Sequence, residues 1–450
     1  MTINNFGELS LSELIDIGEF ECSCGKRHGA GVKKVLIEKG AIKELPSLIK
    51  ECSGKKPFIL SGKQSFSASG KSVLSVVEAA GIAYTKYVYP YSPVVPEEHA
   101  VGAAVMHFDR DCDCVVAIGS GVINDIGKIL AGTFKIPYII VASAPSMDGF
   151  ASATSSMEMD GLKVSLNSTF PWAVLGDTDI LKSAPLPMLC AGVGDMLAKY
   201  ISLAEWRIAH LIVGEYYCPL VAALVENALK KVVNAAEKLL EKDEAAIKSV
   251  MEGMVIGGVA MNYAGLSRPA SGMEHYFSHI WDMRALAFDN VRSDLHGIQC
   301  GIGTLLSLKA YMYLQNVRPS WQKAAAHAAS FDLESWNREL EEFIGPGAKA
   351  MVLREAKEGK YKLAGHASRF ERIIDSWDEI QEIISALPDY REIYQLMVSL
   401  HMPTDPHYLG YSNEDIRKCF SMTKDIRDKY IGSRLLWDLG ELEEAKQKLL

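Results

Sequence analysis

Between about Val35 and Ala142, short apolar runs alternate with segments of helical spacing. The runs are VLI at 35–37, FIL at 58–60, YVY at 87–89, CVVAIG at 114–119 and YIIVA at 138–142. They are apolar throughout and rich in β-branched residues, as strands covered on both faces require. Their alternation with helices predicts βαβ units around a parallel sheet. After Asp179 the period changes. Val221, Leu224, Val225, Ala228, Leu229 and Val232 keep the i, i+3, i+4 spacing of one helix face, and few strand-like runs follow. The pattern predicts an α/β domain over residues 1–182 and an all-helical domain over 183–450, with the boundary near Lys182–Pro187. Met157 to Gly176, with Gly161, VSL and AVLG, reads as a small hairpin between them.

Composition narrows the class. The chain has 450 residues, of which 48% are hydrophobic and 23% charged, with a mean hydropathy of +0.05. These values fit a globular protein of two or three domains. Lys+Arg 47 against Asp+Glu 56 gives a net charge of −9, so no overall field would attract nucleic acid or an anionic membrane. An anionic ligand must then meet local positive charge. The N-terminus lacks the basic-then-apolar order of a secretory signal, and the uncharged stretch Gly253–Ser267 is too short to span a bilayer. Nine cysteines without a regular framework suit reduced thiols. The expectation is a cytoplasmic protein with no membrane span.

CVVAIG ends in Gly119-Ser120-Gly121, and Val122 to Lys128 follow with helical spacing. A glycine turn between strand and helix lets the backbone approach a pyrophosphate, which the helix N-terminus favours. Asn124 stands where the GxGxxG fingerprint has its third glycine, so this motif alone weighs evenly against an ordinary tight turn. A second loop, Ser143 to Ser152, follows the next run at the same sheet edge. The hydroxyls of Ser143, Ser146 and Ser152 suit phosphate or a nicotinamide amide, although any β-to-α connection has this composition. Asp148 reads equally as a turn-former. Gly62-Lys63-Gln64 follows FIL, where many NAD sites carry an acid; Lys63 would not repel a 2′-phosphate, so NADP would be tolerated.

In the helical part, Ser271-Gly272-Met273-Glu274 reads as a capping box that starts a helix on which His275 and His279 share one face. Asp294-Leu295-His296-Gly297 reads as another helix start, and Gly192-Val193-Gly194-Asp195 places a carboxylate at the beginning of a helix containing Lys199. One Asp with two or three His suits a catalytic divalent ion, although scattered core histidines are common. Cys22-Ser23-Cys24…His28 resembles part of a zinc knuckle with no second half, and Cys112 and Cys114 lie on or beside a strand. Both cysteine pairs read as structural.

The segments CSCGKRH, GSGVINDIGK, SAPSMDGFAS, GVGDMLAKYISLAEWR, SRPASGMEHYFSH, LHGIQCGIGTLL and IRDKYIGSRLLWDLGEL occur in order over nearly the whole chain. Together they resemble the bacterial type of sn-glycerol-1-phosphate dehydrogenase, within the dehydroquinate-synthase-like and iron-containing alcohol dehydrogenase superfamily. The resemblance implies a Rossmann-like α/β domain followed by an all-α domain. It implies Asp195, His275 and His296 as ligands of zinc or nickel, and Asp148, Asp195 and His279 as catalytic residues facing the substrate. NAD or NADP would touch Gly119, Gly121, Val122, Ile123, Asn124, Asp125, Ser143, Ala144, Pro145, Ser146 and Ser152. The implied reaction is reversible reduction of dihydroxyacetone phosphate to sn-glycerol 1-phosphate, with Lys199, Arg268 and the helix beginning at Ser271 as candidate phosphate holders. The family commonly assembles as dimers or larger. Alternatives are a glycerol-type polyol dehydrogenase, a carbon–oxygen lyase of the dehydroquinate synthase type, and a non-catalytic zinc protein organised by Cys22, Cys24 and His28. The tail beyond about Gly345 reads as helical, with Ser412–Asp415 as a capping start.

Overall fold

A computed structural model describes residues 6–159 and 162–450. The turn expected at Gly161 lies outside the described residues. The chain forms two compact units: Met1–Met196 with Pro219–Ser267, and Leu197–Cys218 with Arg268–Leu450.

The first unit carries a short hairpin, β1 (Phe20–Glu21) and β2 (Arg27–His28), and then the main strands. These are β3 (Lys34–Glu38), β4 (Pro57–Ser61), β5 (Thr85–Val88), β6 (Cys114–Gly119), β7 (Tyr138–Ala142) and β10 (Ala173–Asp177). They form one sheet in the order β3-β10-β7-β6-β4-β5, and every pair is parallel. All residues of β4, β6, β7 and β10 are buried, so each reads as a continuous apolar run. AVLG is therefore part of the sheet, which corrects its assignment to the hairpin. The hairpin itself is β8 (Thr154–Met159) with β9 (Leu162–Asn167), antiparallel. From β4 the chain moves outward to β5, whereas from β6 it moves the other way to β7. The carboxyl ends of β4 and β6 thus flank the point at which strand order reverses, where open α/β sheets bind ligands.

The helices that matter are α1 (Gly121–Phe134), α2 (Leu186–Val213), α3 (Pro219–Ala235), α4 (Glu244–Ala264), α5 (Met273–Ala287) and α6 (His296–Leu314). The predicted face Val221–Val232 is buried on α3. The units depart from a single cut at residue 182 because α3 and α4 belong with the sheet: α4 packs on β2, β3 and the Asp148–Phe150 turn. α2 is long and apolar enough to cross a membrane, but 72% of its apolar window is buried. It also carries the fully buried Asp195, Lys199 and Glu205, so it reads as a core helix. Asp195 lies inside α2 and not at a helix start. Gly192 and Gly194 do not break the helix; a Cβ on Gly192 would stand 2.0 Å from Pro145 O, so glycine there permits a close backbone approach.

The second unit has no strand among the described residues. α6 is buried almost all round, and Ser412 and Asp415 form the expected capping box.

Candidate nucleotide and metal sites

At the sheet edge, Gly119 ends β6 and Ser120 is the N-cap of α1. A Cβ on Gly119 would meet Ile123 Cβ at 2.5 Å, and one on Gly127 would meet the Tyr138 ring at 2.7 Å. The glycines thus set a tight turn and close helix–strand packing, although the third is at 127. Ser143 N–H donates to Gly119 O at 2.9 Å, and Ser120 Oγ is hydrogen-bonded to Ser146 Oγ. The two predicted loops are therefore joined above adjacent strands, with the first N–H groups of α1 between them.

Several residues expected to touch the dinucleotide have interior roles. Asn124 Nδ2 donates to Gly149 O at 3.1 Å, and its Oδ1 accepts from Tyr138 OH. Asp125 pairs with Lys128 at 2.9 Å and accepts from Ser156 N–H, while burial pushes its carboxyl up. Ser152 Oγ donates to Gly149 O and Thr154 O, and accepts from Lys128. These side chains pin the 148–154 loop. Lys63 is exposed at the end of β4, across the crevice.

Asp148 lies in the turn Asp148–Phe150, and its N–H donates to Asp195 Oδ2 at 2.9 Å. Both acids are at least nine-tenths buried. A Cβ on Gly257 would lie 3.0 Å from Asp148 Cβ, and one on Gly258 would lie 3.0 Å from Asp148 O. This Gly-Gly pair on α4, visible in the sequence but not singled out there, lets the turn sit on the helix.

In the second unit, α5 begins at Met273 with Gly272 as N-cap and no side-chain cap, so the capping box at Ser271 is corrected. Glu274 turns elsewhere. Its Oε1 accepts from Gly272 N–H at 2.6 Å and from His275 Nδ1 at 2.9 Å. With Glu274 ionised this oxygen only accepts, which places the ring proton on Nδ1 and the lone pair on Nε2. Burial and Glu205 push the Glu274 carboxyl up to about 8, and burial holds His275 well below its ordinary value. α6 starts at His296 as expected, with Ser278 Oγ 3.2 Å from His296 Nδ1. The His275 and His296 rings are 5.0 Å apart, and Cys300 Sγ is 3.5 Å from His296 Nε2. One donor atom from each of His275, His296 and Cys300 lies within 4.8 Å of the others. Gly303 makes this possible, since a Cβ there would stand 2.4 Å from Glu274 O. Cys300 was not foreseen; its i+4 spacing from His296 was the signal. His279 lies outside this set, its ring 6.2 Å from Tyr276.

The expected phosphate holders are engaged. Lys199 Nζ donates to Ala270 O at 3.1 Å. Arg268, 1% exposed and so not a surface loop charge, forks onto Glu215 and donates to Tyr430 O at 2.8 Å. Its Nη1 is buried with no hydrogen-bond partner. Lys429 was missed because it sits in the tail. It donates to Ser271 O at 2.7 Å, and burial together with Arg268 pushes it down to about 7.

Residues 36–185 match the family described as iron-containing alcohol dehydrogenase. The glycerol-1-phosphate dehydrogenase (NAD(P)+) of Bacillus licheniformis is 34% identical over 425 residues, spanning 94% of this chain and 93% of that protein. The enzyme of the same name from Geobacillus thermodenitrificans is 28% identical over 404 residues, 89% and 91% of the two chains. The crystal structure of glycerol dehydrogenase from Schizosaccharomyces pombe covers 93% of this chain and 90% of its own, with a TM-score of 0.58 at 15% identity. That likeness shows the fold, dehydroquinate-synthase-like, with a parallel sheet and a largely helical remainder.

Proposed function

The chain belongs to the glycerol-1-phosphate dehydrogenase family, and from that premise we propose that it interconverts dihydroxyacetone phosphate and sn-glycerol 1-phosphate with NAD(P)H. The observation that carries this reading is the match along 93% of a dehydrogenase of that name. The strand-order reversal at β4 and β6 supports a dinucleotide there, with pyrophosphate on the first N–H groups of α1.

The residues fit a divalent ion. With Glu274 ionised and holding the proton on Nδ1, His275 Nε2 presents a lone pair, and His296 lies opposite. Asp195, one turn before Lys199 on α2, is proposed as the carboxylate ligand with them. When bound, such an ion supplies Lewis acidity toward the carbonyl oxygen, worth several kcal/mol. Nitrogen and carboxylate donors suit zinc or nickel alike. A bound NAD(P)H would supply the hydride for the carbonyl carbon, and the carbonyl oxygen would need a proton from the protein. His279 is proposed to deliver that proton from its imidazole, and Asp148 to orient the substrate hydroxyl.

Phosphate is assigned to Lys199 and Arg268, supported by the unspent Nη1 of Arg268. Arg268→Ala and Lys199→Ala are expected to raise KM for dihydroxyacetone phosphate at unchanged metal content. An unchanged KM in both would remove this assignment. A cytoplasmic setting and a homodimer are part of the same reading, the latter to be checked by light scattering. The family assignment speaks against a lyase and against a non-catalytic zinc protein. Activity with dihydroxyacetone but not its phosphate would favour the polyol alternative. The deciding assay follows NADH and NADPH oxidation with dihydroxyacetone phosphate after zinc or nickel reconstitution.

A further inference from the structure

The β1–β2 hairpin has two residues on each strand, too few to hold itself in water. It nevertheless brings three donors together. One ligand atom from each of Cys22, Cys24 and His28 lies within 4.8 Å of the others, and Cys24 Sγ is 3.3 Å from His28 Nε2. The turn between the strands is tightly specified. Cys22 N–H donates to Lys26 O and Gly25 N–H to Cys22 O, both at 3.0 Å, while Gly25 takes φ +85°, which a side chain would strain.

His28 is 1% exposed, and its Nδ1 lies 2.7 Å from Tyr263 O. A carbonyl only accepts, so the ring proton is on Nδ1 and the lone pair on Nε2, toward the sulfur. A bond from the far ring nitrogen to a backbone carbonyl is the arrangement that orients metal-bound imidazoles. Phe20 and Tyr263 cover the ring, with centroids 5.4 and 5.5 Å away. Lys26, whose Nζ donates to Ala264 O, adds a cation that favours thiolate.

We propose that Cys22, Cys24 and His28 bind a structural divalent ion of the zinc type, separate from the site at His275 and His296. Two thiolates and a neutral imidazole are donors for a borderline-soft ion in tetrahedral geometry. Each thiol gives up its proton to solvent on binding, and no redox change occurs. The ion ties the hairpin to the end of α4, the helix whose Gly257 and Gly258 seat the Asp148 turn. The inference does not depend on the proposed reaction.

The test uses the full chain purified with zinc and counted by inductively coupled plasma mass spectrometry. The His275→Ala/His296→Ala variant is expected to retain about one zinc per chain. After cobalt exchange it should show thiolate-to-cobalt charge-transfer absorption. Adding Cys22→Ser and Cys24→Ser should abolish both signals. The proposal is overturned if the histidine variant holds no zinc, if its zinc survives the serine changes, or if Cys22 and Cys24 form a disulfide under reducing purification. Should the serine variant not fold, alkylation of Cys22 and Cys24 in the wild-type chain replaces it. Zinc should slow that alkylation at least tenfold relative to chelated protein, and equal rates would overturn the assignment.

Discussion

In the proposed metal site Glu274 sets how well His275 serves as a ligand, because one of its carboxyl oxygens takes the Gly272 N–H and faces His275 Nδ1. Glu274→Ala is therefore expected to weaken metal binding about 10- to 100-fold. Chelator competition measures this, and an unchanged affinity would contradict the role. The sequence reading led to His275, His279 and His296 but not to Glu274 or Cys300. Glu274 matched a capping box, and only the structure shows its side chain turned toward Gly272 and His275. Cys300 on an apolar helix reads as a small hydrophobe until His296 is found one turn away. Buried histidines also set a pH dependence. Burial holds His28, His275 and His327 below 6.5, so in the metal-free chain the unfolded state takes up protons that the folded state refuses. Their contribution to stability is complete above about pH 6.5 and is lost as pH falls below it. Melting of chelated protein should show that slope, and His327→Gln should reduce it.

Among the elements, the strands were the most legible. Four of the six in the main sheet are buried along their whole length, so pattern and burial coincide. AVLG was misplaced because an isolated apolar run carries no record of which partner it pairs with. The start of α2 was misplaced because glycines that allow a close approach look the same in sequence as glycines that end helices. Gly192→Ala should drive a methyl into Pro145 O and shift the loop bearing Ser143 and Ser146. KM for NADH should rise about tenfold or more, since near-ångström misplacement can cost a factor of 100. Gly303→Ala should separate α5 from α6 at Glu274 and lower metal content, while KM for NADH stays near wild type. The reverse pattern in either variant would contradict the assignment of the two sites to these elements.

For the whole molecule, the net charge of −9 sits beside two anionic ligands in the proposed reaction. In that reading the positive character they need is local: the N-terminus of α1, a divalent ion, and the buried Lys199 and Arg268. The division into α/β and helical parts was readable from the change in period after Asp179. The return of α3 and α4 to the sheet-bearing unit was not, because an amphipathic face does not say what covers it. Chelation should abolish turnover with the far-UV circular dichroism of the helices retained, and zinc or nickel should restore it. The most direct measurement is oxidation of NADH or NADPH by dihydroxyacetone phosphate on the metal-reconstituted chain, with chiral analysis of the product and His275→Ala as control. The account predicts cofactor oxidation, sn-glycerol 1-phosphate as the product and loss of both in the variant. Oxidation of neither cofactor with either metal, or formation of the 3-phosphate enantiomer, would contradict it.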